Sequence, residues 1–168
     1  MAANPTFTQQ VQTIAAKLRG AYLETSCDVE WVLADLTCIC LVSNEEERKA
    51  VKEILLDGAM MSKKIYIAAN ALKRYNIDYY SRYGVHFKKF KELKDLRNQF
   101  AHSVIEGDPE EKDLSWVKFK FIEEGEMQEK VEKVQDLYNN LQEYATYFYD
   151  MMSKLIPILY QERGQAKS

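Results

Sequence analysis

Apolar residues recur at intervals of three or four along most of this chain, the pattern typical of amphipathic helices. One such stripe runs from Pro5 to Val42 without an internal proline, a second from Lys63 to Tyr75, and a third from about Val131 to Ile156. We expect these segments to form helices, with Pro157 ending or kinking the last one.

A shorter helix is predicted between the first two. Ser43 followed three residues later by Glu46 matches a capping box, and Gly58 offers a helix stop after Leu56. Ser62 is the predicted cap of the next helix.

The central segment Phe87–Ser103 is also amphipathic, and its helix is expected to run from about His86 to Ile105, after a tyrosine-rich linker over 76–84. His86 is predicted to lie at the surface, where this helix begins. The apolar stripe of the segment consists of Phe87, Phe90, Leu93, Leu96 and Phe100.

Strict alternation appears only from Trp116 to Ile122, where Val117, Phe119 and Phe121 share one side. Alternation predicts a strand. Glu123–Glu126 reads as a turn, with a return strand at about Met127–Lys130, so a small β-hairpin is expected over about 115–130.

Together these elements predict an all-α fold, an up-down helical bundle of four to five helices with a small β-hairpin inserted before the last helix. The 168 residues, 46% of them hydrophobic, fit one domain over 1–168, with a polar tail at 163–168. Six glycines and three prolines are too few for a turn-rich all-β fold.

The charge distribution is uneven. The net charge of −3 taken alone argues against a nucleic-acid-binding protein, but Ser81–His102 carries six cations and two anions. Lys88, Lys91 and Lys94 of this basic stripe are candidate RNA-binding residues. The alternative is that these lysines only solvate the outer face of an amphipathic helix.

The sequence lacks the motifs that are typical of several classes of enzyme and metalloprotein. The chain has no glycine-rich phosphate loop, no His-Glu-x-x-His and no paired-cysteine zinc spacing, so we expect neither a metal nor a cofactor. Its three cysteines are expected to be plain buried thiols in a reducing compartment. Without a signal-peptide pattern or an apolar run of about 18 residues, a cytoplasmic protein that does not span a membrane is expected.

The candidate chemistry lies at the end of the central segment. Asn98 and His102 fall ~40° apart on one helix face, and Arg97 precedes Asn98 directly. A permanent cation, a carboxamide and an imidazole together could bind and react with a phosphate group.

The run Arg97-Asn98-Gln99-Phe100-Ala101-His102 resembles the Arg-(four to six residues)-His motif of the HEPN superfamily, in which asparagine often follows the arginine. Leu93–Leu96 before it and Ser103 after it are similar to many members, as is the order of elements over about 10–160. Only about ten residues around the motif are specific to the family.

The resemblance implies a helical bundle that forms a homodimer, with the motif helices facing each other. It implies a metal-independent endoribonuclease of a toxin or defence system, with an RNA substrate and a cognate antitoxin or other protein partner. Arg97 would then stabilise the phosphorane, His102 would move protons, and Asn98 would orient His102 or bind the phosphate, with Ser103 in a supporting role. Val104 departs from members that carry a modifiable tyrosine two residues after the histidine.

Other interpretations remain open. His102 could simply stabilise a helix C-terminus as a cation. Asp28 or Asp35 of the first helix could hold Arg97 in a structural salt bridge, or could orient it for catalysis. The net charge and Val104 favour the rival function, a non-catalytic regulatory or protein-interaction module such as a transcriptional co-regulator.

Overall fold

Helices account for most of the chain. The structure is a computed structural model and describes residues 5–108, 110, 112–123 and 125–165. Its α-helices are α1 Phe7–Leu41, α2 Glu45–Val51, α3 Met61–Tyr75, α4 Ile77–His102, α5 Val134–Asp150 and α6 Ile156–Gln165. One π-helical turn, Lys52–Leu56, prolongs α2, and another, Met151–Leu155, joins α5 to α6. If each π-helical turn is counted with the α-helices that it adjoins, the described residues form five continuous helices. The prediction of a mostly helical fold is therefore confirmed.

Between α4 and α5 in the sequence, the chain forms a three-stranded antiparallel sheet of order β1-β2-β3. Its strands are β1 Val104–Glu106, β2 Trp116–Glu123 and β3 Glu126–Lys133. The predicted hairpin is confirmed as β2 and β3, and Val117 and Phe119 are buried on the expected side of β2. The prediction that helix continues to Ile105 was wrong, because Val104–Glu106 leaves the helix and pairs with Lys118–Lys120.

The helix starts differ from their predicted positions. Asn44, rather than Ser43, caps α2, and its Oδ1 accepts a hydrogen bond from the Glu47 N–H at 2.9 Å. Asn76 Oδ1 accepts from the Asp78 N–H at 2.9 Å, so the predicted tyrosine-rich linker is the first part of α4. Ser62 lies inside α3, which starts without a side-chain cap.

The chain divides into two compact units. Unit 1 comprises Met1–Thr25 with Asp95–Glu143, and unit 2 comprises Ser26–Lys94 with Tyr144–Ser168. Helices α1, α4 and α5 each contribute residues to both units. The prediction of a single domain over 1–168 stays a prediction.

Phe100 is the centre of the unit 1 core. Its ring is fully buried, stacks on Tyr22 with centroids 4.6 Å apart, and meets Phe119 edge-on at 5.0 Å. Tyr22 Oη donates to Leu137 O at 2.9 Å. This packing joins α1, α4, β2 and α5 within unit 1 and fixes the orientation of the last turns of α4.

In unit 2, Arg163 of α6 holds the C-terminal end of α1. Its guanidinium donates to Ile39 O at 3.0 Å, to Cys40 O at 2.6 Å and to Ser43 Oγ at 3.0 Å. These carbonyls belong to the last turn of a helix and lack intrahelical partners. Arg163 and Gly164 therefore belong to α6 rather than to a polar tail, and 166–168 lie outside the described residues.

Pro157 does not end the last helix, which continues through α6. It is the second residue of α6, directly after the π-helical turn Met151–Leu155, in which Ile156 N–H bonds to Met151 O. Because a π-helical turn shifts the bonding pattern by one residue, it accommodates a residue that has no N–H.

Candidate functional site

The last two turns of α4 place Asn98 and His102 on the side opposite Phe100. Phe100 is fixed in the core of unit 1, and Arg19 Nε also donates to its carbonyl at 2.9 Å, next to the C-terminal end of the helix. At ~100° per residue, positions two before and two after Phe100 lie on the far face of the helix. The core thus determines where the candidate residues point.

These two residues line an open cleft in unit 1. The cleft has a volume of about 550 Å³ and lies between the end of α4 and the β2–β3 hairpin. His102 is exposed, and Asn98 is half-buried. The residues that line the cleft are Asn98, Gln99, His102, Ser103, Phe121, Ile122, Glu123 and Lys130.

Arg97 supports Asn98 and does not itself line the cleft. Arg97 Nη1 donates to Asn98 Oδ1 at 3.0 Å. The bond leaves the amide NH₂ of Asn98 as the part that can donate to a ligand, since the carbonyl oxygen already accepts from a cation. The structure therefore brings together the three residues of the predicted motif, with Arg97 behind Asn98.

Buried polar atoms without partners concentrate in this segment. Among the residues that the structure describes, Arg97 Nε, Gln99 Nε2 and Ser103 Oγ are buried and have no hydrogen-bond partner. Unsatisfied buried donors are uncommon in folded proteins. These three atoms lie within the seven residues from Arg97 to Ser103, the segment that contains the predicted motif.

The hairpin contributes residues that the sequence did not indicate as part of a site. Glu123 ends β2 and Lys130 lies on β3, where its Nζ is 2.5 Å from Glu132 Oε1. Lys130 adds a cation beside His102, whereas Glu123 adds an anion. The alternation of side chains along the two strands is the only sequence pattern that bears on Glu123 and Lys130, because it predicts on which face of the hairpin each of them lies.

The predicted supporting carboxylates belong to unit 2. Asp28 is exposed, and Asp35 is half-buried and accepts a hydrogen bond from Tyr160 Oη at 2.9 Å. A salt bridge from either aspartate to Arg97 stays a prediction.

The predicted RNA-binding lysines also lie in the part of α4 that belongs to unit 2. Lys88 and Lys91 are exposed, and Lys94 is half-buried. Their role in binding RNA stays a prediction.

His86 is not the surface residue that the sequence predicted. It is only 5% exposed, and its Nε2 lies 2.8 Å from Asp150 Oδ2 in unit 2. Asp150 also pairs with Lys154. The hydrogen bond from Lys154, and to a lesser extent that from His86, lowers the pKa of the Asp150 carboxyl, although desolvation acts in the opposite direction. The pair of His86 and Asp150 is a part-buried contact between α4 and α5 within unit 2.

Cys38 and Cys40 do not provide a reactive nucleophile. Burial, followed by the nearby Asp35 carboxylate, raises the pKa of Cys38, and burial raises the pKa of Cys40 to about 12. A raised pKa keeps a thiol protonated and unreactive. The expectation of buried thiols is confirmed for these two residues and was wrong for Cys27, which is exposed.

A larger open cavity of about 780 Å³ lies in unit 2. Its cations and carboxylates are balanced, and it holds no histidine. Its lining comprises Trp31, Asp35, Cys38, Glu45, Glu46, Arg48, Lys49, Lys52 and Tyr160. Unlike the cleft of unit 1, this cavity therefore offers no imidazole for proton transfer.

The described residues offer neither a metal-binding cluster nor a membrane-spanning helix. No group of three or more histidine, cysteine, aspartate and glutamate side chains among them is placed to hold a metal ion. No helix within the described ranges is both long and apolar enough to cross a membrane.

Comparisons of the chain with family models, with curated proteins and with solved structures gave no match. The resemblance to the HEPN superfamily therefore rests on the residues around Arg97–Ser103 and stays a prediction.

Proposed function

We propose that this chain is a HEPN-type, metal-independent endoribonuclease whose reaction takes place in the cleft lined by Asn98 and His102. The observation that carries the proposal is the position of these two side chains on one helix face, in an open cleft, with Arg97 bonded to Asn98. An imidazole can transfer protons, and a fixed amide N–H can stabilise charge on a phosphoryl oxygen, which are two of the functions that phosphodiester cleavage needs.

The reaction would use the 2′-hydroxyl of the RNA as nucleophile. His102 accepts the hydroxyl proton as O2′ attacks phosphorus, the bond from phosphorus to O5′ breaks, and O5′ receives a proton. The products are a 2′,3′-cyclic phosphate and a 5′-hydroxyl end. Imidazole suits proton transfer because it titrates near neutral pH.

The other two residues of the motif would act on the phosphate. Asn98 donates its amide N–H to a phosphoryl oxygen, and Arg97 is a positioning residue that holds the amide through its Oδ1. Lys130 would attract the RNA backbone at the cleft, and Lys88, Lys91 and Lys94 stay predicted RNA-binding residues of unit 2. One chain supplies one histidine to the cleft, so either His102 serves as base and then as acid, or a second copy of the chain supplies the other group.

One observation favours the rival function, a non-catalytic regulatory or interaction module. Arg97 does not line the cleft, and its Nη1 donates to Asn98 rather than to a bound phosphate. Under this alternative, the motif residues stabilise the end of α4 and the protein acts through a partner.

Cleavage of a mixed RNA substrate in the presence of a chelator distinguishes the two functions. The wild-type protein is compared with His102→Ala, with Asn98→Ala and with the control Asn70→Ala, an exposed asparagine whose amide bonds only to Tyr66 O of its own helix. We expect the first two variants to lose cleavage and the control to retain it. Equal activity of all four proteins, or no cleavage by any across varied RNAs, contradicts the proposal.

A further inference from the structure

Strand β3 has one edge without a partner strand. It pairs with β2 along its full length, and in the described part of the chain no other strand bonds to it. At the end of this ladder, the Val134 N–H donates to Ser115 O at 2.8 Å. Because bonding alternates along an antiparallel ladder, even-numbered residues of β3 bond to β2, and Glu129, Val131 and Lys133 direct their N–H and C=O groups to the open edge.

The sequence of this edge is self-complementary in charge. It reads Glu129-Lys130-Val131-Glu132-Lys133. If two copies pair antiparallel about Val131, Glu129 lies opposite Lys133 and Lys130 lies opposite Glu132, and each pair occurs twice by symmetry. Every cross-strand charge pair in this register is therefore attractive.

Neighbouring registers lack this property. Moving the centre of symmetry by one residue places either Lys130 or Glu132 directly opposite its own copy. Like charges directly opposite each other destabilise a strand pair. The charge pattern thus favours the register centred on Val131, a half-exposed side chain that would pack against its symmetry mate.

We propose that the open edge of β3 is a dimerisation surface whose occupant is the β3 strand of a second copy of this chain, in the register centred on Val131. The pairing forms about six backbone hydrogen bonds between the copies, two at Val131 and two at each pair of Glu129 with Lys133. It converts two three-stranded sheets into one continuous sheet of six strands.

This interface does not depend on RNA cleavage, but it adjoins the candidate site. Lys130 lines the cleft that contains His102 and also belongs to the pairing segment. A second copy on this edge places its Glu132 opposite Lys130, at the rim of the cleft. Dimerisation through β3 would therefore change the charge beside His102.

The charges of β3 have another interpretation. Lysine and glutamate on an edge strand also prevent unwanted pairing between sheets. On that account the order of the charges does not matter, and the protein remains a monomer. A charge-exchange experiment separates this account from a specific dimer.

The experiment uses sedimentation velocity of the full chain over a concentration series. Glu129→Lys and Lys133→Glu each place like charges opposite one another twice, so each variant alone should dimerise on the order of tenfold more weakly than wild type. An equimolar mixture of the two restores attraction at both pairs and should form a heterodimer, and the double variant should dimerise like wild type. Glu126→Lys, on the same strand but outside the paired segment, is the matched control and should leave dimerisation unchanged.

Folding of each variant is checked by its thermal unfolding midpoint, because Glu129 also lies 3.5 Å from Lys118 and 3.7 Å from Lys120 in its own sheet. If the equimolar mixture dimerises, misfolding cannot explain why each variant alone is monomeric. A wild-type protein that stays monomeric at every concentration overturns the proposal. So does a dimer that none of the exchanges weakens, since its interface must then lie elsewhere.

Discussion

Arg97 Nη1 donates a hydrogen bond to Asn98 Oδ1 over 3.0 Å, between two neighbouring residues near the end of α4. The arginine thereby fixes which end of the carboxamide faces the cleft. In the proposed reaction, Arg97 would therefore position Asn98, and Asn98 would donate to the bound phosphate.

Asn98→Asp tests this role of Asn98. The carboxylate still accepts from Arg97 but cannot donate to a phosphoryl oxygen, and its charge repels the phosphate. We expect the rate of RNA cleavage to fall by about 10²-fold, the typical effect of removing one transition-state donor. Asn70→Asp is the control. Retention of full activity by Asn98→Asp would show that the amide N–H groups take no part.

The aromatic core behind the site should be essential for stability. Phe100 is fully buried between Tyr22 and Phe119, so Phe100→Ala should reduce the free energy of unfolding by about 3–5 kcal/mol. Met127→Ala removes an exposed side chain of the same unit and should change it by less than about 0.5 kcal/mol. Denaturant unfolding measures both, and similar values for the two variants would contradict the described packing.

Arg163 should stabilise unit 2 through its three hydrogen bonds, two to carbonyls at the end of α1 and one to Ser43 Oγ. Arg163→Met keeps much of the side-chain volume and removes these donors, at a cost of about 3 kcal/mol in the free energy of unfolding. Arg74→Met, an exposed arginine of α3, should cost less than about 0.5 kcal/mol. Equal melting temperatures for the two variants would show that the contact contributes little.

Thiol labelling should distinguish the three cysteines. Cys27 is exposed, whereas Cys38 and Cys40 are buried and have raised pKa values, about 12 for Cys40. At neutral pH we expect the native protein to react rapidly at one thiol and the denatured protein at three. Mass spectrometry of the labelled protein counts them. Rapid labelling of Cys40 in the native state would be inconsistent with its burial.

Periodicity predicted the long elements because each buries one face. The stripe over 5–42 became α1, and the alternation at Trp116–Ile122 became β2. Strand β1 could not be predicted, because three residues are too few to show alternation and Val104–Glu106 is a strand only through its pairing with β2. The start of α4 was missed although Asn76 is a good N-cap residue, since its first turns present tyrosines in place of an aliphatic stripe.

The sequence could predict only the part of the candidate site that lies on one helix, α4. Helix geometry placed Asn98 and His102 on one face, and the structure puts both in the same cleft. Lys130 joins them through the pairing of strands distant in sequence from α4, and no local pattern indicates this. The burial of His86 has the same origin, since its partner Asp150 lies 64 residues away.

The most direct test of the proposed function is the rate of RNA cleavage by His102→Ala relative to wild type, measured in a chelator with analysis of the RNA ends. We expect wild type to leave 2′,3′-cyclic phosphate ends and the variant, with an unchanged melting temperature, to be slower by about 10²–10⁴-fold. Cleavage at equal rates by both proteins, or none by wild type on any RNA, would contradict the proposed function.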